Sequence, residues 1–193
     1  MEDILTTDQT SDLLHKLLLL HDLGRYQELL DLAQPWLAAP TSLPAVFLLA
    51  AESALQLGDH AKAQTILSTG LANYPLDTSL LAMQITLFIR LELYREALVC
   101  ADKALTLNPE HSGIWYLQSV AQYNLHDLKA AESSIMKVRS LDPLDIDYLA
   151  HHARILWFMD NNDQARQMVQ EGLAQQPDHE DLLYLHAQME KDR

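Results

Sequence analysis

A chain of 193 residues with 49% hydrophobic residues is long enough to bury a substantial core and too apolar to be a disordered tail. Its net charge of −14 at pH 7 repels nucleic-acid phosphates and anionic lipid headgroups, so we expect no nucleic-acid partner and no binding to a lipid surface. Only five glycines and seven prolines are present, and leucine and alanine outnumber the usual strand residues; the composition therefore favours an all-α fold.

The start of the chain, Met1-Glu2-Asp3, has neither the basic nor the apolar region of a secretory signal. No run of 18 or more apolar residues could cross a bilayer, so we expect no direct membrane insertion by this chain. The single Cys100 cannot form an internal disulfide, which fits a reducing compartment. These features predict a cytoplasmic protein, and they are equally compatible with a piece of a longer, membrane-anchored one.

The first predicted element is a helix pair at residues 10–43, preceded by an N-terminal extension at residues 1–9. Gly24-Arg25-Tyr26 predicts the turn between its two helices. The first of these helices carries leucines throughout Leu13–Leu20, which is more apolar surface than a terminal helix with one neighbour can bury. We therefore expect it to be covered by residues 1–9, by a second copy in a homodimer, or by a partner.

A period of 34 residues organises the rest of the chain. It is marked by four evenly spaced prolines, Pro75, Pro109, Pro143 and Pro177. An alanine stands twelve residues before each proline: Ala63, Ala97, Ala131 and Ala165. Proline ends the helix before it, and a small residue lets two helices cross closely. An apolar stripe such as Phe47, Ala50, Ala51 and Ala54 precedes the turn of each unit, so each unit is predicted to be a helical hairpin.

This pattern resembles the tetratricopeptide (TPR) repeat, which has a large residue at position 4, small residues at positions 8 and 20, a turn at positions 15–17 and a proline at position 32. Position 4 holds Phe47, Leu81, Trp115 and Leu149. The repeats are then 10–43, 44–77, 78–111, 112–145 and 146–179, with a capping helix at 180–192. The resemblance implies a right-handed α-solenoid of TPR hairpins with a C-terminal capping helix, all within one domain spanning 10–193.

The resemblance also implies where a partner would bind, because positions 2, 5, 9, 12 and 13 of each repeat face the groove of TPR arrays. Large aromatic rings and guanidinium groups are frequent at protein-binding hot spots. The predicted partner-binding residues are Arg90, Tyr116, Tyr123, Asn124, Arg154, Trp157 and Phe158. The alternative is that Trp157 and Phe158 are packed by neighbouring helices and that both arginines are paired within the chain.

The groove residues also exclude one kind of partner recognition. Co-chaperone TPR domains that bind an acidic C-terminal peptide carry Lys and Asn at positions 5 and 9 of their first repeat. Here those positions hold Leu14 and Leu18. The sequence therefore predicts a scaffold that binds a peptide or helical segment of another protein. Two alternatives remain, a secretion-type chaperone that holds an apolar client segment and an oligomerisation module.

Residues that could support catalysis or metal binding do not form recognisable motifs. Among the nine histidines, adjacent His151 and His152 point to different faces of a helix, and no pair has metal-ligand spacing beside a glutamate. The acidic segment Asp142–Asp147 lacks the glycine and distal glutamate of a calcium loop and is predicted to cap a helix. No phosphate-binding loop or nucleophile motif is present. We therefore expect no enzyme activity, no cofactor and no metal.

Overall fold

The computed structural model describes residues 7–39 and 42–191, and every regular element in these ranges is an α-helix. The helices are α1 (Thr7–Asp22), α2 (Tyr26–Leu37), α3 (Pro44–Gln56), α4 (His60–Asn73), α5 (Thr78–Arg90), α6 (Tyr94–Leu107), α7 (Ser112–Asn124), α8 (Leu128–Leu141), α9 (Ile146–Phe158), α10 (Asn162–Gln175) and α11 (Glu180–Lys191). This confirms the all-α prediction. Helix α1 begins inside the predicted extension 1–9, of which residues 1–6 lie outside the described ranges.

Helix ends coincide with the residues that the 34-residue period marks. Helices α4, α6, α8 and α10 each end two residues before a repeat proline. At the start of the next helix the carboxylates of Asp77 and Asp145 accept hydrogen bonds from the backbone N–H groups of Leu80 and Tyr148, at 2.9 and 3.1 Å. The prediction that the segment Asp142–Asp147 caps a helix is therefore confirmed for Asp145.

The turn inside each hairpin has the same backbone conformation in all five repeats. Its first residue has a positive φ whether it is Gly24 or Gly58 (67° and 74°) or Glu92, His126 or Asp160 (59–61°). The left-handed conformation costs a residue with a side chain roughly 1–2 kcal/mol. Packing of the two helices therefore imposes this turn even in the three repeats that lack the glycine.

The chain divides into two compact units, of which the first is Met1–Leu93. Helix α3 packs against α1, α2, α4 and α5 and forms the centre of this unit. Its Phe47 is fully buried, and Gly70 of α4 lies directly against the ring. A Cβ at position 70 would lie 3.0 Å from Phe47 Cβ, so the absence of a side chain there lets the two helices approach.

The second unit is Tyr94–Arg193, with α7 packed against α6 and α8, and α9 against α8, α10 and α11. Ala97, Ala131 and Ala165 are fully buried, as expected where paired helices cross. Ser119 replaces the usual small apolar residue in the fourth repeat, and its hydroxyl donates to the carbonyl oxygen of Ala131 at 2.8 Å. Helix α11 buries Leu182, Leu185 and Met189 on this unit, as a capping helix should.

The leucines of α1 are only partly covered. Leu13 and Leu17 are buried, whereas Leu18 and Leu19 are 49% and 54% exposed, and Leu23 just beyond the helix is 59% exposed. An apolar strip therefore remains on the first helix. In the described part of the chain no helix combines the length and the apolar character needed to cross a membrane.

Candidate protein-binding surface

Six of the seven residues predicted to bind a partner come together in the second unit. Helix α7 carries Tyr116, Tyr123 and Asn124, and helix α9 carries Arg154, Trp157 and Phe158. Spacings of three, four, seven or eight residues place side chains on one face of a helix, and the two helices are first helices of consecutive repeats. The seventh residue, Arg90, ends α5 in the first unit.

Six rings from these two helices form a continuous series, which we call the aromatic row. Its members, in order, are Tyr148, Tyr116, His151, Tyr123, Phe158 and Trp157. Successive ring centroids lie 5.1, 5.3, 5.7, 5.5 and 5.4 Å apart, within the range of favourable aromatic pairs. The row holds the four predicted aromatic residues and adds Tyr148 and His151.

The aromatic row is anchored on the core and open on its other side. Trp157 is half-buried and packs against the core formed by α9, α10 and α11. Phe158 is 54% exposed although it contacts both Trp157 and Tyr123. Neighbouring helices therefore bury part of the Trp157 side chain, whereas about half of the Phe158 surface remains exposed to solvent.

His151 occupies the centre of the row as a neutral ring. The Ser119 hydroxyl donates its proton to Ala131 O, so the contact of 3.2 Å between Ser119 Oγ and His151 Nε2 requires the proton on Nε2. Burial, and to a smaller extent the nearby Arg154 guanidinium, lower the pKa of His151 to about 4. At neutral pH the row thus has no imidazolium charge at its centre.

The polar members of the predicted site are engaged within the chain. Arg154 Nη2 pairs with Asp181 Oδ2 at 3.1 Å, and Asn124 Nδ2 donates to Val120 O at 2.8 Å. Arg90 Nη1 donates to Leu55 O at 3.3 Å, in addition to the backbone N–H of Gly58 that this carbonyl already accepts in the last turn of α3. The exposed polar contacts that the arginines were predicted to offer are therefore reduced by these internal bonds.

Beside Tyr116 the surface becomes acidic. A pocket of about 510 Å³, which we call the acidic pocket, lies between the N-terminal ends of α9 and α11. Its lining residues are Asp145, Ile146, Asp147, Gln176, Asp178, His179, Glu180 and Asp181. Burial raises the pKa of Tyr116, and Asp147 adds to the increase while Arg154 opposes it, so the phenol stays a protonated donor within electrostatic reach of the pocket.

The sequence prediction missed the contribution of α11, which it treated only as a cap. Asp147 and Asp181 both occupy position 2 of their repeats, and Tyr184, 62% exposed, occupies position 5 of the last one. When the groove-facing positions 2 and 5 are counted into the final half-repeat, they fall on Asp181 and Tyr184. The sequence therefore contained a signal for these two residues. Within the described ranges no group of three or more His, Cys, Asp or Glu residues has an arrangement that could hold a metal ion.

A family model places the chain among known proteins. The model of the ChAPs, the Chs5p-Arf1p-binding proteins, matches residues 20–144, which is more than half of the chain. The chain belongs to the ChAPs family. The ChAPs match includes Tyr116, Tyr123 and Asn124 on α7 and ends before α9, so Arg154, Trp157 and Phe158 lie beyond the part on which membership rests.

The chain is also similar to a curated protein of Schizosaccharomyces pombe that is described as uncharacterised. It is 32% identical over 90 residues, which are 47% of this chain and 14% of that protein. The chain therefore spans about one seventh of the length of the relative that it matches.

Several solved structures share the fold at low identity. A TPR protein from Parabacteroides merdae is 18% identical with a TM-score of 0.81, covering 99% of this chain and 75% of that one. The thermophilic TPR protein TTC0263 of Thermus thermophilus is 20% identical with a TM-score of 0.77, covering 93% and 98%. YrrB, described as a TPR protein with an unusual peptide-binding site, has a TM-score of 0.69 at 19% identity, covering 91% and 90%. These neighbours confirm that this ChAPs-family chain has the predicted TPR fold.

Proposed function

We propose that the chain is a non-catalytic scaffold that binds a peptide or helical segment of another protein on the aromatic row. The observation that carries the proposal is the row itself, six contiguous rings that include the half-exposed Phe158. Two of the similarities also support a protein as the partner. The ChAPs family is named for binding Chs5p and Arf1p, and YrrB is described as having a peptide-binding site.

The chemistry of the row suits a hot spot in a protein interface. Rings that are held by their neighbours lose little conformational entropy when a partner covers them. The favourable free energy of burying their apolar area therefore contributes more to affinity than it would for mobile side chains. The internal bonds of Arg154 and Asn124 leave apolar contact as the main source of binding energy, with the remaining N–H groups of Arg154 fixing orientation. Arg90 in the first unit is proposed as a separate polar contact.

The chaperone alternative uses the same surface and differs in its partner. A secretion-type chaperone would hold an apolar client segment on the row and keep it soluble. Such a client should aggregate when produced without the chain, whereas a scaffold's partner should stay soluble alone.

Replacing two rings of the row by alanine should remove partner binding. We expect the double variant Tyr123→Ala/Phe158→Ala to bind a partner captured from native lysate at least about tenfold more weakly, because truncated hot-spot residues typically cost more than 1 kcal/mol each. The measurement is the Kd of the identified partner by calorimetry, with folding verified by circular dichroism.

The matched control removes exposed apolar side chains from other helices of the same unit. Val99 on α6 and Met136 on α8 are 73% and 57% exposed, and Val99→Ala/Met136→Ala should leave the Kd unchanged. Equal affinity of the row variant and the wild type would contradict the proposal.

The apolar strip on α1 favours a second proposal, that two copies associate through this helix. Three leucines, Leu18, Leu19 and Leu23, remain 49–59% exposed there. Burying such a strip against its symmetry mate is a common origin of homodimers. We expect sedimentation velocity to show a concentration-dependent dimer that Leu18→Glu/Leu19→Glu converts to a monomer. A monomer at all concentrations in the wild type would refute the dimer.

A further inference from the structure

The acidic pocket next to the aromatic row carries a large excess of negative charge. Five of its eight lining residues are carboxylates and none is Lys or Arg. Asp147 and Asp181 side chains are 76% and 62% exposed, so a partner can reach them. A cation placed among several carboxylates on the wall of a pocket has a more favourable electrostatic energy than one beside an isolated surface acid.

The internal bonds of the pocket offset only part of this charge. Asp145 caps α9, and Asp147 Oδ1 lies 2.9 Å from His179 Nε2. His179 Nδ1 accepts a hydrogen bond from the backbone N–H of Leu182, which leaves Nε2 as the nitrogen that donates to Asp147. Arg154 is the one cation that pairs with a pocket carboxylate, through Asp181, in the described part of the chain. The pocket therefore remains several charges negative.

The chemistry favours a basic side chain over a metal ion. No three of the described His, Cys, Asp and Glu residues have an arrangement that could hold a metal. Guanidinium and ammonium groups, in contrast, bind carboxylates that are spread along a wall, and they are also attracted to tyrosine faces such as that of Tyr116 beside the pocket.

The helix geometry gives the spacing that a ligand would need. Asp147 at the start of α9 and Phe158 at its end are separated by about 16 Å at 1.5 Å per residue. An extended peptide covers this distance with about five residues. One peptide can thus reach the acidic pocket and the exposed ring of Phe158 together.

We propose that the partner segment is an extended peptide with a Lys or Arg seated in the acidic pocket and an apolar side chain, about five residues away, on Tyr123 and Phe158. The inference rests on the proposed function, because it identifies the partner chemistry of the same surface. Charge complementarity distinguishes this partner from a purely apolar client and from an acidic peptide.

Selection of a random 12-residue displayed peptide library on the purified chain tests the inference without assuming a partner. We expect enriched peptides to contain a Lys or Arg and an apolar residue at the predicted spacing. The selected peptide, synthesised with a fluorescent label, should bind at least about tenfold more weakly to Asp147→Asn/Asp178→Asn/Glu180→Gln, and more weakly to the wild type at high salt.

The control neutralises three exposed acids elsewhere in the same unit. Glu96, Asp163 and Glu171 lie on α6 and α10, and Glu96→Gln/Asp163→Asn/Glu171→Gln should change the Kd less than twofold. It matches the test variant in its change of net charge, so a loss specific to the pocket variant supports local recognition rather than long-range attraction.

The other outcomes separate the inference from the function on which it rests. Enriched peptides without a basic residue, lost on Tyr123→Ala/Phe158→Ala and retained on the pocket variant, would overturn the basic-residue inference and leave the aromatic row as the binding site. Failure to enrich any peptide, or enrichment of peptides that tolerate both variants, would overturn both proposals.

Discussion

Phe47→Ala is expected to lower the free energy of unfolding by about 3–5 kcal/mol, the usual cost of removing a buried phenylalanine ring. Phe47 is fully buried at the centre of the first unit, where α3 contacts α1, α2, α4 and α5. The ring lies against Gly70 and pairs with Tyr74 at a centroid distance of 6.5 Å. Neither neighbour can easily fill the cavity, because Gly70 has no side chain and Tyr74 donates a hydrogen bond of 2.6 Å to Ser42 O.

Urea unfolding followed by circular dichroism measures this effect. The matched control is Leu57→Ala, which truncates a side chain that is 47% exposed just after the same helix and should cost less than about 1 kcal/mol. A loss below about 1 kcal/mol for Phe47→Ala would contradict the packing described for the first unit.

Stability should also fall as the pH decreases from about 6.5 to about 4. His151 and His152 both have a pKa lowered from 6.5 to about 4, in each case mainly by burial and further by Arg154 and Arg139 respectively. The unfolded chain binds these protons near pH 6.5 and the folded chain only near pH 4, so the free energy of unfolding is highest above that window. Each histidine can contribute up to roughly 3 kcal/mol.

The slope of stability against pH in this window is the readout, because acidic residues elsewhere also affect stability at low pH. We expect His151→Gln/His152→Gln to flatten the slope between pH 6.5 and 4, even if the variant is less stable at pH 7. Replacing the exposed His15 and His186 by glutamine should leave the slope as it is in the wild type. An unchanged slope in the buried double variant would contradict the lowered pKa values of these two histidines.

The 34-residue period was sufficient to predict the hairpins because it depends on local rules. Pro75 and Asp77 end one helix and begin the next through backbone chemistry that involves only nearby residues. The crossing residue Ala131 needs only to be small.

The details of the surface could not be predicted in the same way. The sequence indicated which side chains of α7 and α9 share a face, and those residues do lie together. It could not indicate that Arg154 is held by Asp181, because that ion pair joins helices from different repeats and depends on side-chain rotamers. The place of His151 in the row likewise depends on the replacement of a small apolar residue by Ser119, whose hydroxyl orients the ring.

Hydrogen exchange of the chain with and without its captured partner shows whether the partner covers the aromatic row. We expect slower exchange in the C-terminal halves of α7 and α9, around Tyr123 and Phe158, when the partner is bound. Protection confined to α1, or to the helices α6 and α8 that carry Val99 and Met136, would contradict it.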